Sequence, residues 1–259
     1  MRLLAEMTVN ELRESLKTLK TVIVPVGVVE QHGYHLPLCV DIHNCQEVAF
    51  RAGDRLNALV APTVQYCYSG GELTGTINIS PSVFSLLIGD ICSELSRMGF
   101  EKIVILLGHA GTDNRTALKS TLQMFLKRNP DTKVTLSLVE VWDLSPTWMS
   151  YFRMEPEHDF HAGEVETSLM LYWHPEQVRA KIEMDDPETS RMMRSDQDWF
   201  ETSEKRIDHK FVVPHVFQRK EIRVGVMGFP EKADRALGEK VCKEMVDGLV
   251  EFVDFINAR

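Results

Sequence analysis

The sequence predicts an α/β fold, with a mainly parallel sheet covered by helices on both faces. Thr21–Val26 and Lys102–Leu107 are almost wholly apolar and rich in β-branched residues, as strands buried on both faces must be. Each such run is followed by an irregular loop and then a segment with helix-start signals, and this alternation is the mark of a parallel sheet with crossover helices. At 259 residues and 44% hydrophobic content, the chain can fill one sizeable core, so residues 1–259 are read as a single domain.

The elements follow in order. Thr8-Val9-Asn10-Glu11 has the form of a capping box, predicting a helix to about Leu19. After the first strand, residues 28–40 mix Glu, His, Gly and Pro without a period and read as a loop, and Asp41 can cap a helix to about Leu56. Residues 58–64 are read as a short strand and 65–75 as a glycine-rich loop. Ser80-Pro81 supplies an N-cap and an N1 proline for a helix ending near Gly99. The strand at 102–107, a loop at 108–113, a helix at 114–128 and a strand at 134–141 continue the rhythm. Residues 181–210 are polar and nearly strandless, an excursion that serves as a lid or a subunit contact. Two apolar runs, 211–217 and 222–227, are read as strands, and 232–258 as a closing helix. Right-handed crossovers open every strand-to-helix loop on one sheet edge, where ligands of such folds bind.

Composition narrows the partners. A net charge of −9 with a pI near 5.5 repels nucleic acid and anionic membrane surfaces, and no basic run offsets it. The N-terminus lacks the apolar stretch of a signal peptide and no run is long enough to span a bilayer, so a cytoplasmic protein acting on a small molecule is expected. Five scattered cysteines without a C-x-x-C pair read as reduced packing residues, with Cys39 of interest for its place two residues before Asp41.

Candidate chemistry gathers in three clusters. In Glu30-Gln31-His32-Gly33-Tyr34-His35-Leu36-Pro37, residues two apart on extended chain point the same way, so Glu30 and His32 can converge. A carboxylate with an imidazole suits zinc, manganese or iron better than calcium or magnesium, and Asp41 stands at a helix start where it can bridge two ions. Gly108-His109-Ala110-Gly111 brings His109 to the same edge, either as a ligand or as a histidine packed at a helix start. In His161-Ala162-Gly163-Glu164-Val165-Glu166, Glu164 reads as an acidic first turn complementing the helix dipole. Glu166 reads as a site residue. Together the clusters can build a two-metal site that activates water and polarises a carbonyl, with His161 as proton donor to a leaving nitrogen. Trp142 and the aromatics after it line either a substrate pocket or the core, and His35, Glu72 and Asp113 are further candidate substrate contacts. His43, His158, His174, His209 and His215 receive no role.

The run from Val24 to Pro37, with Asp41, Gly75-Thr76, Gly108-His109-Ala110-Gly111, His161-Ala162-Gly163, Glu166-Thr167-Ser168 and Gly225 to Pro230 in that order, resembles the creatininase (creatinine amidohydrolase) family. The resemblance implies a three-layer α/β/α sandwich, a homo-oligomer (a hexamer) and two divalent metals, zinc first, with manganese or iron as alternatives. It implies hydrolysis of non-peptide C–N bonds in cyclic amides, linear amides or formamides. By the same resemblance Glu30 and His109 hold one metal, His32 the other, Asp41 bridges them, Glu166 completes the site, and His161 transfers a proton. Two departures stand out: creatininase has a ligating glutamate where this chain has Gly111, followed here by Thr112-Asp113-Asn114, so that Asp113 or Asn114 reaches the site by another path. It also has an aromatic where this chain has Glu157. Creatinine is therefore not the expected substrate. Competing readings are metal-dependent hydrolysis, elimination or isomerisation of an oxidised sugar-like molecule, and a non-catalytic metal-binding protein.

Overall fold

The structure, a computed structural model, describes residues 3–259. Four strands, β1 (Thr21–Val26), β2 (Leu59–Val60), β3 (Lys102–Leu107) and β4 (Thr135–Glu140), form a parallel sheet in the order β2-β1-β3-β4. Strands β1 and β3 pair in full register from Thr21 with Lys102 to Val26 with Leu107. Both are buried along nearly their whole length, as central strands of a covered sheet must be.

The pleat divides their side chains between two cores. Val22, Val24, Val26, Ile103, Ile105 and Leu107 pack with Phe84, Ile88 and Leu118, from helices α3 (Pro81–Met98) and α4 (Thr112–Arg128). Ile23, Val104 and Leu106 face the opposite layer, built from α2 (Val40–Ala52), α6 (Glu164–Trp173) and α8 (Arg235–Asn257), with α8 packed on both others. Each fully buried aliphatic side chain contributes about 1.5–3 kcal/mol, so the period-2 split anchors helices to both faces. The result is an α/β/α sandwich.

Several boundaries differ from the sequence reading. Helix α1 (Val9–Ser15) carries the capping box at Thr8 and Glu11 but stops short of Leu19. In the run 58–64 only Leu59 and Val60 pair continuously, with a lone bridge from Val64 to Val26; Pro62 between them has no N–H to give a ladder. Residues 222–227 are not a strand. They form a largely buried, bent segment whose amides at Arg223, Val224 and Gly225 donate to the Asp185 carboxylate, while Met227 exchanges backbone bonds with Phe160 and His161. Of the run 211–217, Phe211 and Val213 are exposed and only β6 (His215–Gln218) is a strand; it pairs antiparallel with β5 (Glu201–Glu204) in a separate ribbon. The excursion at 181–210 thus holds both a strand and a helix, α7 (Pro187–Ser195). A further short helix, α5 (Pro146–Tyr151), follows β4. Among the described residues no helix is long and apolar enough to cross a membrane.

Candidate metal centre

The loops after β1 and β3 and the first turns of α2 and α6 meet at one edge of the sheet. Gly108 makes this possible: a Cβ there would stand 2.2 Å from the Asp41 carbonyl oxygen, so only glycine lets the end of β3 touch the start of α2. Glu30, His32, Asp41, His109 and Glu166 are all buried at this junction, and His161 sits at its rim.

Asp41 divides its carboxylate between two groups. Its Oδ2 lies 3.1 Å from His109 Nδ1, which is also 3.1 Å from Glu30 Oε2. Its Oδ1 lies 3.6 Å from His32 Nε2, which is also 3.6 Å from Glu166 Oε2. Within each triad, Glu30–Asp41–His109 and His32–Asp41–Glu166, the potential ligand atoms all fall within 4.8 Å of one another. A separation of 3.6 Å is too long for a hydrogen bond, yet it is near the roughly 3.3 Å ligand–ligand edge of a tetrahedral zinc with bonds of about 2.0 Å. Accordingly, Glu30 Oε2 and His32 Nε2 are buried without hydrogen-bond partners. The donor set fits a pair of borderline divalent ions sharing Asp41.

Three buried carboxylates make the pocket demand positive charge. Burial alone would raise the Glu30 carboxyl, but His109 and then His161 outweigh it and hold it well below the usual range. Burial would lower His109, but Glu30 and Asp41 carry it up to about 10. His32 is likewise raised against burial by Asp41 and Glu166. A divalent cation satisfies the same carboxylates, and since imidazole binds metal only when neutral, protons and metal compete for these groups.

A supporting layer escaped the sequence reading. Asn44 Nδ2 donates to Glu166 Oε1 at 3.1 Å and to the Gly108 carbonyl at 3.3 Å; its place three residues after Asp41 on one helix face is the signal that could have revealed it. Ser69 donates its hydroxyl to Glu30 Oε1. The Ala162 amide donates to Glu166 Oε2 at 2.7 Å from a left-handed backbone, φ 55°, whose cost of about 1–2 kcal/mol a bond to a charged acceptor of about 1.5–3 kcal/mol can offset. Gln31 orients His161. Because the Gly33 amide donates to Gln31 Oε1, the Gln31 NH₂ faces His161 Nε2 at 3.2 Å. The imidazole must accept there and carries its proton on Nδ1, the nitrogen 3.8 Å from Glu30 Oε2.

Beside the triads opens a cavity of about 910 Å³ including its mouth. Trp142, Trp148, Phe152 and Phe160 line one side, while Met193 and Phe200 from the excursion line another. Trp142 meets Trp148 and Phe152 edge-on at 6.3 and 6.1 Å. Three expected substrate contacts lie elsewhere. Glu72 is exposed on the 65–75 loop and Asp113 on the first turn of α4, and neither lines the cavity. Asn114 is buried but also outside the lining, so neither acid nor amide replaces the glutamate that creatininase has at Gly111. A Cβ at Gly111 would meet His109 Nε2 at 2.4 Å, so a side chain there would require the imidazole to shift. His35 is buried behind the centre and bonds Thr167 Oγ1 at 3.0 Å, with its pKa lowered to about 4 by burial and then by His32 and His161.

Comparisons with known proteins agree with this architecture. A mycofactocin precursor peptide peptidase from Mycolicibacterium smegmatis is 29% identical over 238 residues, 89% of this chain and 83% of that protein. A creatinine amidohydrolase from Pseudomonas putida is 29% identical over 182 residues, 64% of this chain and 68% of that one. A solved manganese form of creatininase superposes with a TM-score of 0.75 over 97% of this chain and 96% of its own, at 23% identity, a likeness of fold. The family profile for creatinine amidohydrolase matches residues 5–253: the chain belongs to the creatininase family.

Proposed function

We propose that the protein is a divalent-metal-dependent amidohydrolase, hydrolysing an amide-type C–N bond in a cyclic amide, linear amide or formamide. The observation that carries this is the Asp41 carboxylate, with one oxygen turned to each of two buried triads. Glu30 and His109 would hold one ion, His32 and Glu166 the other, with Asp41 shared between them. Zinc is the first candidate, with manganese or iron as alternatives, and the manganese form of the related creatininase supports that class. When bound, such a pair supplies acidification of a water and polarisation of a carbonyl.

The chain's own residues would do the rest. His161, held by Gln31 with its Nδ1 proton turned toward Glu30, is placed to donate to a leaving nitrogen. The aromatic wall excludes water from the carbonyl and accepts an apolar substituent. No lysine or arginine is among the described residues lining the cavity to pair with a substrate carboxylate. This favours a neutral non-peptide amide.

The exposed apolar residues Ile207, Phe211, Val213 and Val216 around the β5–β6 ribbon support assembly into a homo-oligomer through that surface.

The test is amine release from a panel of lactams, linear amides, formamides, short peptides and keto-sugars, before and after chelation and re-addition of zinc or manganese. Metal-dependent amine release from the small amides is expected. Turnover confined to keto-sugars, or none with metal bound, would overturn the assignment.

A further inference from the structure

On the flank of α2 opposite Asp41, His43 and Glu47 stand one helical turn apart, where side chains of a helix meet. His174, which caps the C-terminus of α6, reaches across to them. Its Nε2 lies 3.1 Å from Glu47 Oε1, and its ring lies 4.3 Å from that of His43 at 36°. One potential ligand atom from each of the three residues falls within 4.8 Å of the others.

An ordinary histidine–glutamate hydrogen bond explains part of this. It accounts for His174 and Glu47 but leaves His43 Nδ1 buried with no hydrogen-bond partner. An unpaired buried ring nitrogen is destabilising, and two imidazoles tilted against each other gain nothing from charge. Burial, and then His174, push the His43 imidazole below its ordinary pKa, which keeps its lone pair free. Arg51 takes the other Glu47 oxygen at 3.0 Å, leaving Oε1 for the cluster. Glu176 stands 3.6 Å from His174 Nδ1 on the outer side. Two imidazoles and one carboxylate are the donor set of a zinc-class ion with a fourth position open to water.

We propose that His43, Glu47 and His174 form a separate divalent-metal site that clamps α2 to α6. The consequence reaches the candidate metal centre, because α2 carries Asp41 and α6 carries Glu166. An ion joining the two helices on their far flank would fix the spacing of those carboxylates without touching the cavity.

Full-length protein, stripped of metal and dialysed against zinc, should hold about three ions per chain by elemental analysis, and His43→Ala about two. His174→Gln separates metal from hydrogen bonding, because the amide can still bond Glu47 but is a poor zinc ligand. It should lose one ion, and with it part of the zinc-dependent rise in Tm, while its circular dichroism stays that of the wild type. In an Asp41→Asn background, where the candidate metal centre is disabled, one ion should remain and should disappear on adding His174→Gln. Equal zinc content in wild type, His43→Ala and His174→Gln would overturn the proposal. So would an Asp41→Asn protein that holds no ion, whereas failure of the candidate metal centre itself would show as unchanged zinc content on Asp41→Asn.

Discussion

Replacing Asp41 with Asn tests how two triads depend on one carboxylate. The substitution keeps the shape of the side chain but replaces one anionic oxygen with an NH₂ that cannot ligate. In the structure those oxygens face His109 Nδ1 at 3.1 Å and His32 Nε2 at 3.6 Å, so one amide cannot serve both triads. Turnover should fall by about 10³-fold or more, a loss of about 4 kcal/mol in transition-state stabilisation. Stability should respond differently. Metal at a hundred times its Kd stabilises the fold by about 2.7 kcal/mol, which for a chain of this size raises Tm by roughly 5–10 °C. The part of that increment due to the candidate metal centre should vanish in Asp41→Asn, leaving only what the His43–Glu47–His174 site contributes. The metal-free proteins should differ little, because the substitution also relieves crowding among Glu30, Asp41 and Glu166. Scanning calorimetry with and without zinc, alongside amine release, reads both effects. A variant retaining full turnover and the whole metal-dependent rise in Tm would refute the reasoning.

Three further outcomes follow from the geometry. His161→Asn should lower turnover by about 10²–10⁴-fold while metal content, measured by elemental analysis, stays at the wild-type level. Gly111→Glu, which introduces the residue creatininase has there, should weaken metal binding and lower Tm, since its Cβ would meet His109 Nε2 at 2.4 Å; a gain of activity would contradict this account of the site. His35 has a folded pKa near 4 against an ordinary 6.5, so its contribution is fully present above about pH 6.5 and is lost as pH falls through about 4. The loss is at most about 3 kcal/mol. His35→Gln should flatten that part of the acid limb of stability, as followed by urea unfolding across pH at fixed metal content.

The sheet was legible where one residue pattern admits one environment. Five apolar, mostly β-branched residues at 103–107 can only be a covered strand, and the helix after Ser80 announces itself by its N1 proline; Asp41 does not cap its helix as expected, because Cys39 holds the N-cap position and Asp41 lies in the first turn, facing the candidate metal centre. The runs 58–64 and 222–227 misled because an apolar run records burial and not pairing. Ile222 and Met227 are buried, yet their segment takes its hydrogen bonds from Asp185 and from residues 160–161, partners that are remote in sequence. The residues brought together at the candidate metal centre stood out because ligand types at two-residue and loop-end spacings carry their own chemistry. Gln31, Asn44 and Ser69 did not, because an amide or hydroxyl supports a ligand only through a distance set by the tertiary fold. His43 and His174 lacked a signal for the same reason: they lie 131 positions apart and meet only once α6 packs beside α2.

The central claim is that Asp41 is shared by two cations. Anomalous diffraction from crystals of the zinc-loaded protein, collected on both sides of the zinc edge, tests it most directly. Two peaks should flank the Asp41 carboxylate, one about 2.0–2.2 Å from Glu30 and His109 and the other at a like distance from His32 and Glu166. A zinc-saturated crystal with no peak beside Asp41, or with Glu30, His32 and His109 bonded only to one another, would contradict it.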